Sequence, residues 1–285
     1  MAKTIGNPIS WTARNIGATG DHIAESVNRI GSADTRHLPK VQTLTMQDLR
    51  ACLRAGYNDF LDTRADAIFI VLIYPIAGLL MFGFGLNRSM VPLLAPLILG
   101  FALIGPIAAV GLYEISRKRE QGGEVHWLDA FGVFQSPSFG AILMLGFYLV
   151  MWLLIWLMVA QSIYVHTLGP DLPTSIGAFV TQVFTTGAGW TMIIFGNAVG
   201  FLFALVALAV SVVSFPLLLD RKVGLPVAVV TSVRVLRHNP GVILAWGFIV
   251  AALLVIGAIP MMLGLIVVMP VLGHATWHLY RRAVA

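Results

Sequence analysis

His274 and His278 stand four residues apart in the stretch HATWH. On a helix that spacing sets both imidazoles on one face, the way a helix offers two ligands to a metal or a haem. No Glu follows the first His, so this is not a zinc-protease motif. The other apolar segments offer no histidine at matching depth for a second axial position. The plainer role is a pair of polar-tipped rings, with Trp277 between them, in the headgroup layer of a bilayer. No metal or cofactor is assigned on this basis.

A second constellation is a ring of polar residues at the ends of apolar segments: Glu114, Asp220 and His278, with Arg117, Arg221 and Arg281. Ionisable groups held among helix ends can form a proton or ion route. They more commonly pair with neighbouring arginines and cap the helices. Asn197 is the lone strong polar group inside the fourth apolar segment, where interhelical hydrogen bonding is the usual reason for such a residue. No charged residue lies near the middle of any segment, which counts against an ion pump or a proton-coupled carrier. Phosphate-cradling glycine loops, a Ser-His-Asp order and paired catalytic carboxylates are missing from the pattern. No catalytic residue is assigned, and the expectation is a protein that is not an enzyme.

The elements that position these residues follow from composition. The chain has 285 residues, 58% hydrophobic and only 11% charged, against about a quarter charged in soluble domains. Its apolar runs reach the ~20 residues that a helix needs to cross hydrocarbon, and only helices satisfy their own backbone there without closing a barrel. The fold class is an all-α polytopic membrane protein. Six transmembrane helices are expected, at about 66–85, 91–113, 139–164, 190–219, 241–259 and 261–280. The last two are separated only by Ile259-Pro260-Met261, a tight turn. Pro75, Pro92, Pro96, Pro106, Pro216 and Pro270 could kink spans and open a cavity.

Of the eighteen Lys and Arg residues, all but Arg88 fall on one side of these spans. Basic loops stay inside, so both termini are expected to be cytoplasmic, in a bacterial inner membrane. The net charge of +5 suits anionic headgroups and needs no nucleic acid. The start of the chain lacks the apolar core of a signal peptide. Cys52, the one cysteine, is expected to be packing.

Residues 1–44 are polar, either a tail that docks on a partner or partly a short surface helix. From Thr45 the membrane domain, 45–285, begins with an N-cap pattern, Thr45 followed by Asp48. Leu49, Leu53, Tyr57, Phe60 and Leu61 then recur at helical spacing, an amphipathic helix for the cytoplasmic interface. The segments 125–135 and 225–238 resemble it. A shift of 101 residues sets Gly140 on Gly241, Gly146 on Gly247 and Trp127–Gln135 on Ala228–Leu236. In a separate correspondence of the hairpin ends, Pro106 falls on Pro270 and Glu114 on His278. Three units are inferred, about 45–118, 119–222 and 223–285, each an interfacial helix followed by a transmembrane hairpin.

The stretches LRAGYNDFLD, GLYEISRKRE, SFPLLLDRKVGLPVAVVTSVRVLRHNPG and GHATWHLYRR resemble a bacterial integral membrane family, domain of unknown function 2189, from about Val41 onward. The resemblance implies several membrane helices and carries no catalytic residue. Some members are labelled putative cytochrome c oxidase proteins; this sequence has none of the spread histidine ligands of an oxidase catalytic subunit, so the label implies at most an accessory or assembly role.

Three functions follow. The first is a non-catalytic accessory subunit of a larger membrane complex, with a respiratory oxidase as one possibility and lipids and other membrane subunits as partners. The second is a small-molecule or lipid transporter, with a cavity between the repeats and Asn197 or Glu114 in its wall. The third is a haem or metal protein using His274 and His278.

Overall fold

The computed structural model describes residues 38–71, 90–123, 125–260 and 262–285, with the single positions 76, 79 and 83. Among them the chain is helical and forms no strand. Its helices are α1 (Met46–Val71), α2 (Leu94–Ala108), α3 (Val110–Glu120), α4 (Phe139–Leu168), α5 (Ile176–Thr185), α6 (Gly187–Ser211), α7 (Ser214–Asp220), α8 (Leu225–His238), α9 (Pro240–Ala258) and α10 (Leu265–Ala283). A 3-10 helix, Trp127–Gln135, lies between α3 and α4.

Among the described residues three helices are long and apolar enough to cross a membrane: Phe139–Leu168, Gly187–Asp220 (α6 with α7) and Pro240–Ala258. A fourth results if Val91–Gly100 and Ala102–Ala108, bent by 44° to each other, count as one span. These coincide with the second to fifth expected spans. The first, 66–85, lies largely outside the described residues, as does the 1–37 part of the tail. The sixth coincides with α10, which is not in that group because its second half carries His274, Thr276, His278, Arg281 and Arg282.

Local chemistry sets the helix ends. The Thr45 hydroxyl accepts from Asp48 N, and Asp48 accepts from Thr45 N, a reciprocal cap that starts α1. The Asp48 carboxyl is held below its ordinary value, first by the Thr45 hydroxyl that donates to it. Thr186 accepts from Gly189 N to open α6, and α4 stops at Gly169, whose φ of 96° is glycine territory. Pro240 occupies the first turn of α9, where its missing N–H costs nothing.

α10 is the central element, packed along α1 and against α3 and α9. The face of α1 that meets it keeps the start of the expected stripe, with Leu49 buried and Leu53 packed on the core, and departs from it further along. Leu49, Cys52 and Gly56 are buried, whereas Tyr57 and Leu61 are exposed. Cys52 is wholly covered, and burial pushes its thiol up to about 11. The thiolate is the reactive form, so Cys52 should resist maleimide at pH 8 in the folded protein and react only after unfolding. Rapid labelling of the folded chain would contradict this packing.

The two segments matched by the 101-residue shift take different backbones. Trp127–Gln135 is a 3-10 helix, while 225–238 is α-helical. Three residues per turn set Leu128, Phe131 and Phe134 in one row, and all three are exposed. Asp129 accepts from His126 N and from Lys118 Nζ, which hold its carboxyl below its ordinary value. In α8 the buried face is Val227, Ala228, Thr231, Ser232 and Val235. Thr231 is buried, while Arg234 and His238, three and seven residues further along the same side of the helix, are exposed.

Residues 38–44 run against the C-terminus. Gln42 N donates to Ala283 O at 2.9 Å, and Ala285 N donates to Lys40 O at 3.0 Å. Asn239, buried between α8 and α9, accepts from Leu44 N at 2.7 Å and donates to Gln42 O at 3.0 Å. The segment entering α1, the α8–α9 corner and the chain end are thus clasped together.

Candidate functional site

The ends of α3, α7 and α10 meet the middle of α1 in a layer of charged side chains. The Glu114 carboxylate, only 2% exposed, accepts from Arg117 Nε at 2.9 Å and Nη2 at 2.7 Å. A fork gripping both oxygens is the strongest ion-pair geometry that side chains offer. Gly132 of the 3-10 helix lies directly over that carboxylate. Asp220 accepts from Tyr280 Oη at 2.6 Å and Arg281 Nη1 at 3.2 Å, with Arg221 Nε 3.9 Å away. Arg281 reaches on to Glu120 Oε1 at 3.0 Å, and Glu120 also accepts from Trp277 Nε1 at 3.0 Å.

The two histidines of HATWH face different partners. His278 Nε2 lies 2.8 Å from Asp59 Oδ2 on α1. His274, 0% exposed, sets Nδ1 2.6 Å from the Ser116 hydroxyl of α3, and its buried Nε2 has no hydrogen-bond partner among the described residues. Their shared helix face is real, but the rings do not converge on one point. Among the described residues no group of three His, Cys, Asp or Glu could hold a metal ion.

The expected polar ring is thus divided. Asp220, Arg221 and Arg281 are brought together, Glu114 and Arg117 form their own fork, and His278 belongs to Asp59. Asp59, Ser116 and Glu120 complete the layer and were not singled out from the sequence. Asp59 falls three residues after Gly56 on the face of α1 that α10 covers, a small-residue stripe that would have pointed to it. Arg119 binds both Asp59 and Asp62, joining α3 to α1.

Asn197 lies elsewhere, on the exposed face of α6 among Trp190, Ile194 and Phe201. Its Nδ2 donates to Ile193 O of its own helix at 2.8 Å, and its carbonyl oxygen has no partner among the described residues. An apolar cavity of about 330 Å³ does sit between α2, α6, α9 and α10. Neither Asn197 nor Glu114 lines it; its walls include Leu205, Trp246, Leu254 and Met269.

With its described residues all helical, three or four of the helices among them apolar and able to span a bilayer, and charges gathered at helix ends, the chain is an integral membrane protein. Residues 93–220 match the model of a family described as Predicted integral membrane protein (DUF2189), whose function is unknown. The match contains GLYEISRKRE whole and the start of the third motif, SFPLLLD, and so shows the resemblance drawn from them. No curated protein and no solved structure matches the chain.

Proposed function

We propose that this chain is a non-catalytic subunit of a larger assembly in the bacterial inner membrane, docked through the outer face of α6. The observation that carries this reading is Asn197. An amide carbonyl facing hydrocarbon without a partner is costly, and a polar side chain on an adjacent transmembrane helix would satisfy it. The flanking Trp190, Ile194 and Phe201 supply packing area around it.

In this reading the chain has six spans in three hairpins. α10 places its apolar half, from Leu265 to Leu272, in the bilayer and its polar half in the charged layer. Both termini are cytoplasmic, supported by the gathering of Arg117, Arg119, Arg221 and Arg281 at one end of the bundle. The exposed row Leu128, Phe131 and Phe134 suits an interfacial helix dipping into the headgroup boundary. A respiratory terminal oxidase is the first partner to test.

Mild-detergent purification from native membranes should recover a stoichiometric membrane partner. Asn197→Leu should weaken that association about threefold to tenfold, the range of single interhelical hydrogen bonds, and leave the unfolding midpoint unchanged. Recovery as a monomer, or as a homodimer through the same face, would sink the accessory-subunit reading.

A further inference from the structure

The cavity between α2, α6, α9 and α10 has walls that leave little for a polar ligand to hold. The Ser211 hydroxyl donates to Ala207 O at 2.6 Å and the Thr276 hydroxyl to Leu272 O at 2.7 Å, each within its own helix. Tyr113 contributes a surface that is only 2% exposed. The remaining lining is aliphatic or aromatic apart from glycine and proline, with Trp246 at 2% exposure. At about 330 Å³ the space is at the lower end of small-ligand sites, ~300–1,000 Å³. That suits a narrow apolar chain better than a bulky substrate.

The position of the opening decides where such a chain comes from. Phe201 on α6 and Leu244 and Phe248 on α9 line the cavity and are also exposed on the outside of the bundle. All three belong to helices able to span the membrane. The opening therefore faces hydrocarbon, and what can enter sideways is a lipid tail.

The headgroup end is marked as well. α8 packs against both α6 and α9, the two sides of the opening. Its last turns carry Arg234 and Arg237, both exposed, and no carboxylate pairs with either among the described residues. Leu244 lies four residues into α9 beyond Pro240, about 6 Å along the axis at 1.5 Å per residue. A phosphate near Arg234 and Arg237 and a tail entering beside Leu244 are within one lipid's length. Guanidinium groups near the membrane surface attract phosphate-bearing headgroups.

We infer that the α2–α6–α9–α10 cavity holds one acyl tail of a bilayer phospholipid, with its phosphate held by Arg234 and Arg237. The opening adjoins the α6 docking surface at Phe201, but Asn197 does not line the cavity, so failure of partner binding by Asn197→Leu leaves the lipid site untouched.

The test uses the full chain in nanodiscs of phosphatidylglycerol brominated on its acyl chains. Trp246 fluorescence is taken as the difference between the protein and its Trp246→Phe variant. Quenching of Trp246 is expected, because a side chain so covered meets bromine only if a tail enters the cavity. Gly105→Leu should relieve at least half of that quenching. Gly105 lines the cavity, and a Cβ there meets nothing within 4 Å, so the backbone admits a side chain that then extends into the tail's place. Ala251→Leu, also in the lining, serves if Gly105→Leu does not fold. Exposed Trp190 should stay quenched in every variant.

Native mass spectrometry should show one retained phospholipid on the wild type, lost on Gly105→Leu and weakened about tenfold on the double variant Arg234→Gln, Arg237→Gln. An unquenched Trp246 beside a quenched Trp190 would overturn the proposal. So would quenching that Gly105→Leu leaves unchanged, or extraction of a free isoprenoid in place of a phospholipid.

Discussion

Gly56→Ala is expected to destabilise the protein by about 3 kcal/mol, the upper end of the ~1–3 kcal/mol cost of overpacking. A Cβ at this position would sit 2.5 Å from Ala275 N, 2.6 Å from Val271 O and 2.8 Å from Ala275 Cα. All three obstacles are backbone, so no rotamer change relieves the clash and α1 must separate from α10. That separation also stretches Asp59–His278 and Asp48–Arg282, both of which cross the same contact. The intrinsic helix preference for alanine over glycine works in the opposite direction by about 1 kcal/mol, which makes a net loss diagnostic. Gly241→Ala, where nothing lies within 4 Å, is the matched control and should be neutral to stabilising by up to about 1 kcal/mol. Equal denaturant midpoints for wild type and Gly56→Ala in detergent would refute the close crossing.

Glu114→Ala is expected to cost about 2–3 kcal/mol. Removing one member of a fully buried pair costs about 3–5 kcal/mol because the other charge is stranded. Here the Glu114 side chain is 2% exposed but that of Arg117 is 29% exposed, so water screens part of the stranded charge. Loss of the carboxylate also frees the underside of the 3-10 helix at Gly132. Glu114→Gln keeps the volume and one acceptor and should fall between the two. Unfolding in detergent reads the order wild type, Gln, Ala; a stable Ala variant would mean that the fork is ornamental to the fold.

The membrane class, the places of α4, α6 with α7, and α9, and the motif ends at Glu114, Asp220 and Arg281 were all legible in the sequence. Hydropathy and charge are local properties, written residue by residue along each span. The buried face of α1 was legible only at its start, Leu49 and Leu53. The large apolar residues Tyr57 and Leu61 predicted one face, and the small ones Cys52 and Gly56 form the actual contact. At the membrane interface an exposed Tyr or Leu can rest in the headgroup boundary, so its exposure carries little penalty, and close backbone approach to α10 rewards small residues instead. Hydrophobic periodicity, reliable in water, loses its direction at a lipid surface.

The same physics divides what the sequence by itself determined from what only the tertiary structure decided. Span lengths follow from bilayer thickness, and helix ends follow from caps such as Thr45 and Asp48 or from breakers such as Gly169 and Pro240. Which carboxylate meets which cation depends on how each helix is rotated about its axis and which neighbour it finds. That is why His278 pairs with Asp59 across 219 residues of chain, Arg281 with Glu120 across 161, and Asn239 with residues 42–44. The separation of Asn197 from the charged layer, and the opening of an apolar cavity between α6 and α9, are likewise products of packing that no local pattern encodes.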